Sequence, residues 1–228
     1  MPTPYLDWIA SESEAFGAAI ADSSLDSRVP GCPDWDQRAL ANHLGRVQRF
    51  WAATVLANGE MPDVGDEDPD NPPPLVGDAS FVRAWFAEST SALLDALRAV
   101  PWDADAWTWW KEDRTVGAIA RHQAGEAAVH RWDAQSVTNT QQPLPVDLAD
   151  DAVDEFMWLA RQLRDTARPV ALHATDTGNT YATGTAPAAI ATATASDLFL
   201  LCYRRIDLDA VGIEGDRRAL EAFLEPVE

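Results

Sequence analysis

Residues 117–134, GAIARHQAGEAAVHRWDA, run without a proline and consist mostly of good helix formers. A stretch of this kind reads as helix, and Glu126 and His130 then stand one turn apart on one face, with Cβ atoms about 5–6 Å from each other. Ile119 and Gln123 continue that face, whose apolar or neutral character turns it inward. A buried carboxylate beside a buried imidazole needs a compensating charge. Either the two pair with each other, or they share a cation held at about 2.0–2.2 Å from each. A Glu-x-x-x-His pair is commonplace on helices, so its meaning depends on what the rest of the chain brings to it.

A second helix is expected from about Asp36 to Ala57, with Asp34 or Asp36 as capping carboxylate. Its inward stripe is Leu40, Leu44, Val47, Trp51 and Val55, and His43 shares it. Two helices thus each turn a metal-capable group toward an interior, which is how helix bundles assemble metal sites. Two imidazoles and one carboxylate make a three-ligand set with an open position for water or a substrate atom. His122, on the same helix as the pair, reads as a rim residue or, functionally, as a group supporting the ligands from behind. His173 reads as structural, and Arg131 and Asp133 as braces of the ligand turn through inter-helix ion pairs.

Around these two helices the pattern predicts a first helix over residues 4–22, with Leu6, Ile9, Phe16 and Ile20 inward, and a loop over residues 23–33. A third helix is predicted over residues 78–99, with Phe81, Trp85, Leu93, Leu94 and Leu97 inward. Thr115 is placed to cap the helix of the opening stretch, residues 116–136. The acidic, proline-rich residues 58–74 read as a surface connector or, functionally, a mobile lid. A polar hinge at residues 137–145 separates a bundle, residues 1–140, from a smaller unit, residues 141–228. That second unit is expected to open with a helix over residues 147–167, with Val153, Phe156, Met157, Ala160 and Leu163 inward. A hairpin follows over residues 169–185, then a helix over residues 193–205, a short strand over residues 210–214 and a last helix ending near Glu225. The fold class expected is α+β, a helical bundle followed by a small α+β domain.

Composition narrows the functional classes. The formal net charge of −20 argues against nucleic-acid phosphates and anionic membranes as partners. No apolar run is long enough to span a bilayer and no leader pattern is present, so a cytoplasmic protein is expected. The two cysteines, Cys32 and Cys202, form no metal-knuckle spacing. Ten tryptophans forecast a core or cleft lined with large rings. Nucleophile-elbow, Walker A and dinucleotide-binding motifs are missing.

Pro30-x-Cys32-Pro33-Asp34-Trp35-Asp36, followed by Leu40-x-x-His43-Leu44, resembles the N-terminal signature of the mycothiol-dependent maleylpyruvate isomerase family, within the DinB-like four-helix-bundle metalloproteins. Glu126-x-x-x-His130-Arg131-x-Asp133-Ala134 is similar to the second signature of that family. Ser196-Asp197-Leu198, Arg204-Arg205 and Gly212-x-Glu214-Gly215-Asp216 resemble its C-terminal domain. The resemblance implies a divalent ion, usually zinc, on His43, Glu126 and His130, with the thiol of mycothiol at the open position as thiolate. In the isomerase that thiolate adds to a cis double bond, allows rotation and leaves. It also implies an arginine of the C-terminal domain, here Arg204, steadying the negative charge of the substrate. Gly125 stands where the family often has His, and Tyr203 where it often has Gly, so a differently shaped pocket is expected. The functional expectation is a metal- and mycothiol-dependent isomerase or transferase acting on a small electrophile. A zinc-hydroxide hydrolase, or a bundle that binds a ligand or partner without catalysis, are the alternatives.

Overall fold

The structure is a computed structural model that describes residues 4–63, 74–163 and 168–225. The chain divides into two compact units, Met1–Gln142 and Pro143–Glu228. The lid expected within residues 58–74 falls largely on residues 64–73, outside the described residues.

The first unit contains four long helices, α1 (Tyr5–Ala21), α2 (Gln37–Leu56), α3 (Ala79–Ala99) and α4 (Val116–Ser136). Side-chain oxygens satisfy the first free N–H groups of three of them. Asp36 accepts from Ala39 N at 2.8 Å, Asp78 from Phe81 N at 2.9 Å, and Thr115 from Ala118 N at 3.2 Å. α1 packs against α4 and α3, and α2 against α3 and α4. Phe16, Ile20, Leu40, Leu44, Val82, Phe86, Leu93, Leu97 and Ile119 are buried in the space between them.

α2 and α3 run in the same direction. Arg38, at the start of α2, donates to Leu75 O at 3.3 Å and Gly77 O at 2.6 Å, just ahead of α3. Two to three turns on, Thr90 Oγ1 donates to Gln48 Oε1 at 2.8 Å and Arg49 Nε to Ser89 Oγ at 2.8 Å. Parallel neighbours oblige their connection to return the length of α2, about 30 Å for a helix of this size. That requirement accounts for the long link between Leu56 and Ala79 whatever else it does.

Three expectations for this unit need correction. Residues 23–33 are not all loop: β1 (Arg28–Val29) and β2 (Cys32–Asp36) form a short antiparallel hairpin with an irregular register. The inward face of α3 is carried by Val82 and Phe86, whereas Phe81 is 50% exposed and Trp85 sits at the edge of the core. With aromatics at 81, 85 and 86, two adjacent stripes compete for the interior, and the one that continues through Leu93 and Leu97 wins. Trp85 instead lies across Gly45, where a Cβ would come within 2.2 Å of its ring. The guanidinium groups of Arg46 and Arg49 stand 5.4 and 5.1 Å from that ring.

The second unit starts with α5 (Val146–Leu163) and carries a four-stranded sheet of order β4-β3-β5-β6. The strands are β3 (Val170–Ala174), β4 (Thr180–Ala182), β5 (Ala189–Ala193) and β6 (Gly212–Gly215). β3 and β5 pair in parallel and the other pairs are antiparallel. α6 (Ala195–Cys202), capped by Thr194, and α7 (Arg217–Leu224), capped by Asp216, complete the unit. The hairpin, both helices and the last strand match the expected pattern, but β5 was not expected. Leu163, expected inward, is exposed, because it is the final residue of α5 and the buried stripe Val153, Met157, Ala160 stops one turn earlier. Gly215, at φ +86°, ends β6 where an added Cβ would lie 2.3 Å from Ala188 O.

Candidate metal centre

His43 stands on the second turn of α2, and Glu126 and His130 on the second half of α4. Their ligand atoms all lie within 4.8 Å of one another. Small side-chain rotations would bring them onto one cation at about 2.0–2.2 Å. His43 and His130 meet edge to face at 5.1 Å, and Trp35 of the β hairpin covers them, its ring 4.6 Å from His43 and 6.3 Å from His130. The hairpin therefore places an aromatic wall beside the ligand cluster.

The orientation of His130 is fixed from both sides. Its Nδ1 lies 3.0 Å from Asp133 Oδ2 and its Nε2 lies 3.5 Å from Glu126 Oε2. Asp133 is fully buried and also accepts from Cys32 Sγ at 3.6 Å. A carboxylate on Nδ1–H leaves the Nε2 lone pair for a cation and aims it at Glu126, the arrangement found around zinc-ligating histidines. Asp133 thus braces His130 within α4. Arg131 makes an inter-helix ion pair: its Nε donates to Glu12 Oε2 on α1 at 2.8 Å. Neither Cys32 nor Cys202 is in a disulfide among the described residues.

Burial by itself would raise the pKa of Glu126. The hydrogen bond to His130 and the fields of His130, His122 and His43 outweigh it and lower the value to about 2. Burial would likewise lower the pKa of His130, but the hydrogen bonds to Asp133 and Glu126, with their charges, raise it to about 9. Without a cation, then, His130 is an imidazolium between two carboxylates at neutral pH. Its contribution to stability is complete below the unfolded value of 6.5 and is lost as pH rises through about 9. The contribution of Glu126 is complete above 4.5 and is lost as pH falls through about 2. A cation must displace the His130 proton. Calorimetry in buffers of different ionisation enthalpy is expected to show about one proton released per zinc bound at pH 7, with affinity rising about tenfold per pH unit toward pH 9. Proton release near zero would mean that the histidine is already neutral.

Gln123 shares the face of Glu126 and His130. It is 1% exposed, and neither its carboxamide oxygen nor its nitrogen has a hydrogen-bond partner among the described residues. A buried amide left unpaired costs roughly 1–3 kcal/mol. Gln123→Met, close in volume, is expected to raise the melting temperature by a few degrees. A lower melting temperature would reveal that the carboxamide holds a water or another partner.

His122 is not the rim residue expected. It is buried among Trp51, Trp109 and Trp110, whose ring centroids lie 6.1, 5.8 and 5.3 Å away. The clue was the run Trp107, Trp109, Trp110 just ahead of α4, which folds back over the first turns of that helix. His173 Nδ1 lies 2.8 Å from Thr180 Oγ1 across the β3–β4 pair. Arg204 belongs to the second unit. It follows α6 at φ +58° and lies 3.7 Å from Glu225, both side chains being largely exposed. Among the described residues no helix is long and apolar enough to cross a membrane.

Comparison with known proteins places these features in a family. The profile described as mycothiol maleylpyruvate isomerase N-terminal domain matches residues 6–135. No curated protein sequence matches. Two solved structures are similar in fold: crystal structures of the mycothiol-dependent maleylpyruvate isomerase, one of them a histidine-to-alanine mutant. Each covers 92% of this chain and 91% of its own, at 11% identity, with TM-scores of 0.71 for the former and 0.73 for the mutant.

Proposed function

The chain belongs to the mycothiol maleylpyruvate isomerase N-terminal domain family, and from that premise we propose that it is a zinc- and mycothiol-dependent isomerase or transferase acting on a small electrophile. The observation that carries the reading is the convergence of His43, Glu126 and His130, three ligand-capable groups from two helices within 4.8 Å. Two imidazoles and one carboxylate suit zinc, and three protein ligands leave a coordination position open. A zinc ion there would supply a Lewis acid at which a thiol loses its proton at neutral pH.

The residues of the chain do the rest. His43 and His130 offer neutral nitrogens, and Glu126 supplies one negative charge, which keeps the site cationic overall. Asp133 holds the tautomer of His130. Trp35 shields the ligand cluster from bulk water, which strengthens the electrostatic interactions inside it. We further propose that Arg204 holds the negative charge of an anionic substrate. Its contact with Glu225 is long and solvent-exposed, an ion pair of little worth that is readily exchanged for a substrate carboxylate.

Protein purified without chelator is expected to carry about one zinc per chain and to convert a cis-enone or similar electrophile only when mycothiol is added. Turnover that persists without any thiol would replace this reading with a zinc-hydroxide hydrolase. Failure to retain any divalent metal would remove the metal from the reading altogether.

A further inference from the structure

Residues 101–115, between α3 and α4, contain no helix or strand, yet they are firmly tied. Asp105 and Thr115 form an antiparallel bridge, Ala106 N donates to Arg114 O at 3.0 Å, Thr108 Oγ1 to Trp110 O at 2.9 Å, and Trp110 Nε1 to Asp113 O at 3.1 Å. Within this frame Trp110 is buried, while its neighbour Trp109 remains 45% exposed. The Trp109 ring stands edge to face with Trp110 at 5.0 Å and with His122 at 5.8 Å. A large ring therefore rests edge-on against two buried rings with nearly half its surface uncovered, although burying it would be worth about 25 cal/mol for each Å². Tryptophan is enriched among the residues that carry binding energy.

Its position relates it to the ligand cluster. His122 lies one helical turn ahead of Glu126 and two ahead of His130, and it is close enough for its charge to act on the Glu126 carboxylate. With a pitch of 5.4 Å, the exposed indole is on the order of 10 Å from the ligand atoms.

Resting on the function proposed above, we infer that Trp109 is the platform for the saccharide part of the thiol co-substrate. Mycothiol carries its cysteinyl thiol on a glucosamine–inositol unit. Ordinary bond lengths put the sugar ring about 6–8 Å from the sulfur and the cyclitol a few ångströms further. A thiol whose sulfur occupies the open metal position thus has its rings at the distance of Trp109. The C–H face of such a ring packs on an indole, and its hydroxyls need polar neighbours at the rim. Lys111 and Glu112, both exposed, follow the buried Trp110. A flat aromatic electrophile would be better served by a slot walled with apolar groups, whereas Trp109 opens to water beside charged residues.

The test compares two thiols on the zinc-loaded full chain by calorimetric titration. Wild type is expected to bind mycothiol at least tenfold more tightly than N-acetylcysteine, which has the same thiol and no sugar. Trp109→Ala is expected to erase most of that difference and leave N-acetylcysteine affinity unchanged, while Trp109→Tyr keeps most of it. Circular dichroism would verify that each variant is folded. Equal losses for both thiols, or none for either, would overturn the platform while leaving the thiol-dependent reading intact. A variant that loses affinity only for an aromatic electrophile would assign the ring to the other substrate and overturn the inference. If wild type binds neither thiol, the function proposed above falls, and the platform with it.

Discussion

Replacing His43 with alanine is expected to take the zinc content from about one equivalent per chain to less than a tenth after dialysis, with thiol-dependent turnover falling by well over a hundredfold. Deleting an outer-shell partner of a metal ligand already costs about 10–100-fold in affinity or activity, and His43 is itself one of three ligands. It is also the ligand whose removal disturbs the metal-free protein least. It is only partly buried and packs on Trp35 at 4.6 Å, so its loss should change the stability of the metal-free form by about 1 kcal/mol or less. Glu126 and His130 are less suitable for this purpose. They pair with each other, and removing His130 also takes the imidazole away from the buried Asp133 carboxylate. Metal analysis, turnover and a melting curve on metal-free protein separate the outcomes. Loss of metal with an unchanged metal-free melting temperature makes His43 a ligand. A collapse in stability, with no wild-type activity to lose, would support a bundle that binds without catalysing.

The candidate ligand cluster was legible because α2 carries an apolar stripe that His43 shares, and because the four-residue spacing keeps Glu126 and His130 together on α4, a helix buried on nearly every face. α2 and α4 have side-chain caps at Asp36 and Thr115, and once those helices are placed His43, Glu126 and His130 have few other directions to point. Where periodicity was ambiguous or absent, legibility failed. Adjacent aromatics on α3 left two stripes in competition, and the choice between them depended on Gly45 accepting the Trp85 ring from another helix. The β1–β2 hairpin was masked by Pro30, Gly31 and Pro33, which mark turns before they mark strands. β5 is Ala189-Ile-Ala-Thr-Ala, in which three alanines, depleted in strands, dilute the signal of Ile190 and Thr192. It is specified by the edges of β3 and β6 on either side. His122 is a related case. Its burial depends on tryptophans of the loop ahead of α4, which leave no periodic trace in the chain.

The largest stability effect is expected from Glu12→Ala. Glu12 on α1 and Arg131 on α4 are 7% and 4% exposed in their side chains and meet at 2.8 Å. The remaining donors of Arg131 reach Gln135 Oε1 and the carbonyl of Gln142. Removing one partner of a buried ion pair costs about 3–5 kcal/mol. For a protein of this size that corresponds to a melting temperature lower by roughly 10–15 °C. Apolar replacement of both partners, Glu12→Leu with Arg131→Met, should recover most of the loss, because the desolvation penalty disappears with the charges. Arg131 directly follows His130 in the chain, so the double variant also reports on the metal centre. Zinc affinity within about twofold of wild type would mean that apolar packing alone sets the rotation of α4. A tenfold loss in a variant of near-native stability would mean that the ion pair holds α4 in the register that turns His130 toward His43. The second outcome is expected, because the side of α4 that carries Arg131 is otherwise made of buried alanines, Ala120, Ala124, Ala127 and Ala128. Small side chains of that kind resist rotation far less than interlocking large ones do.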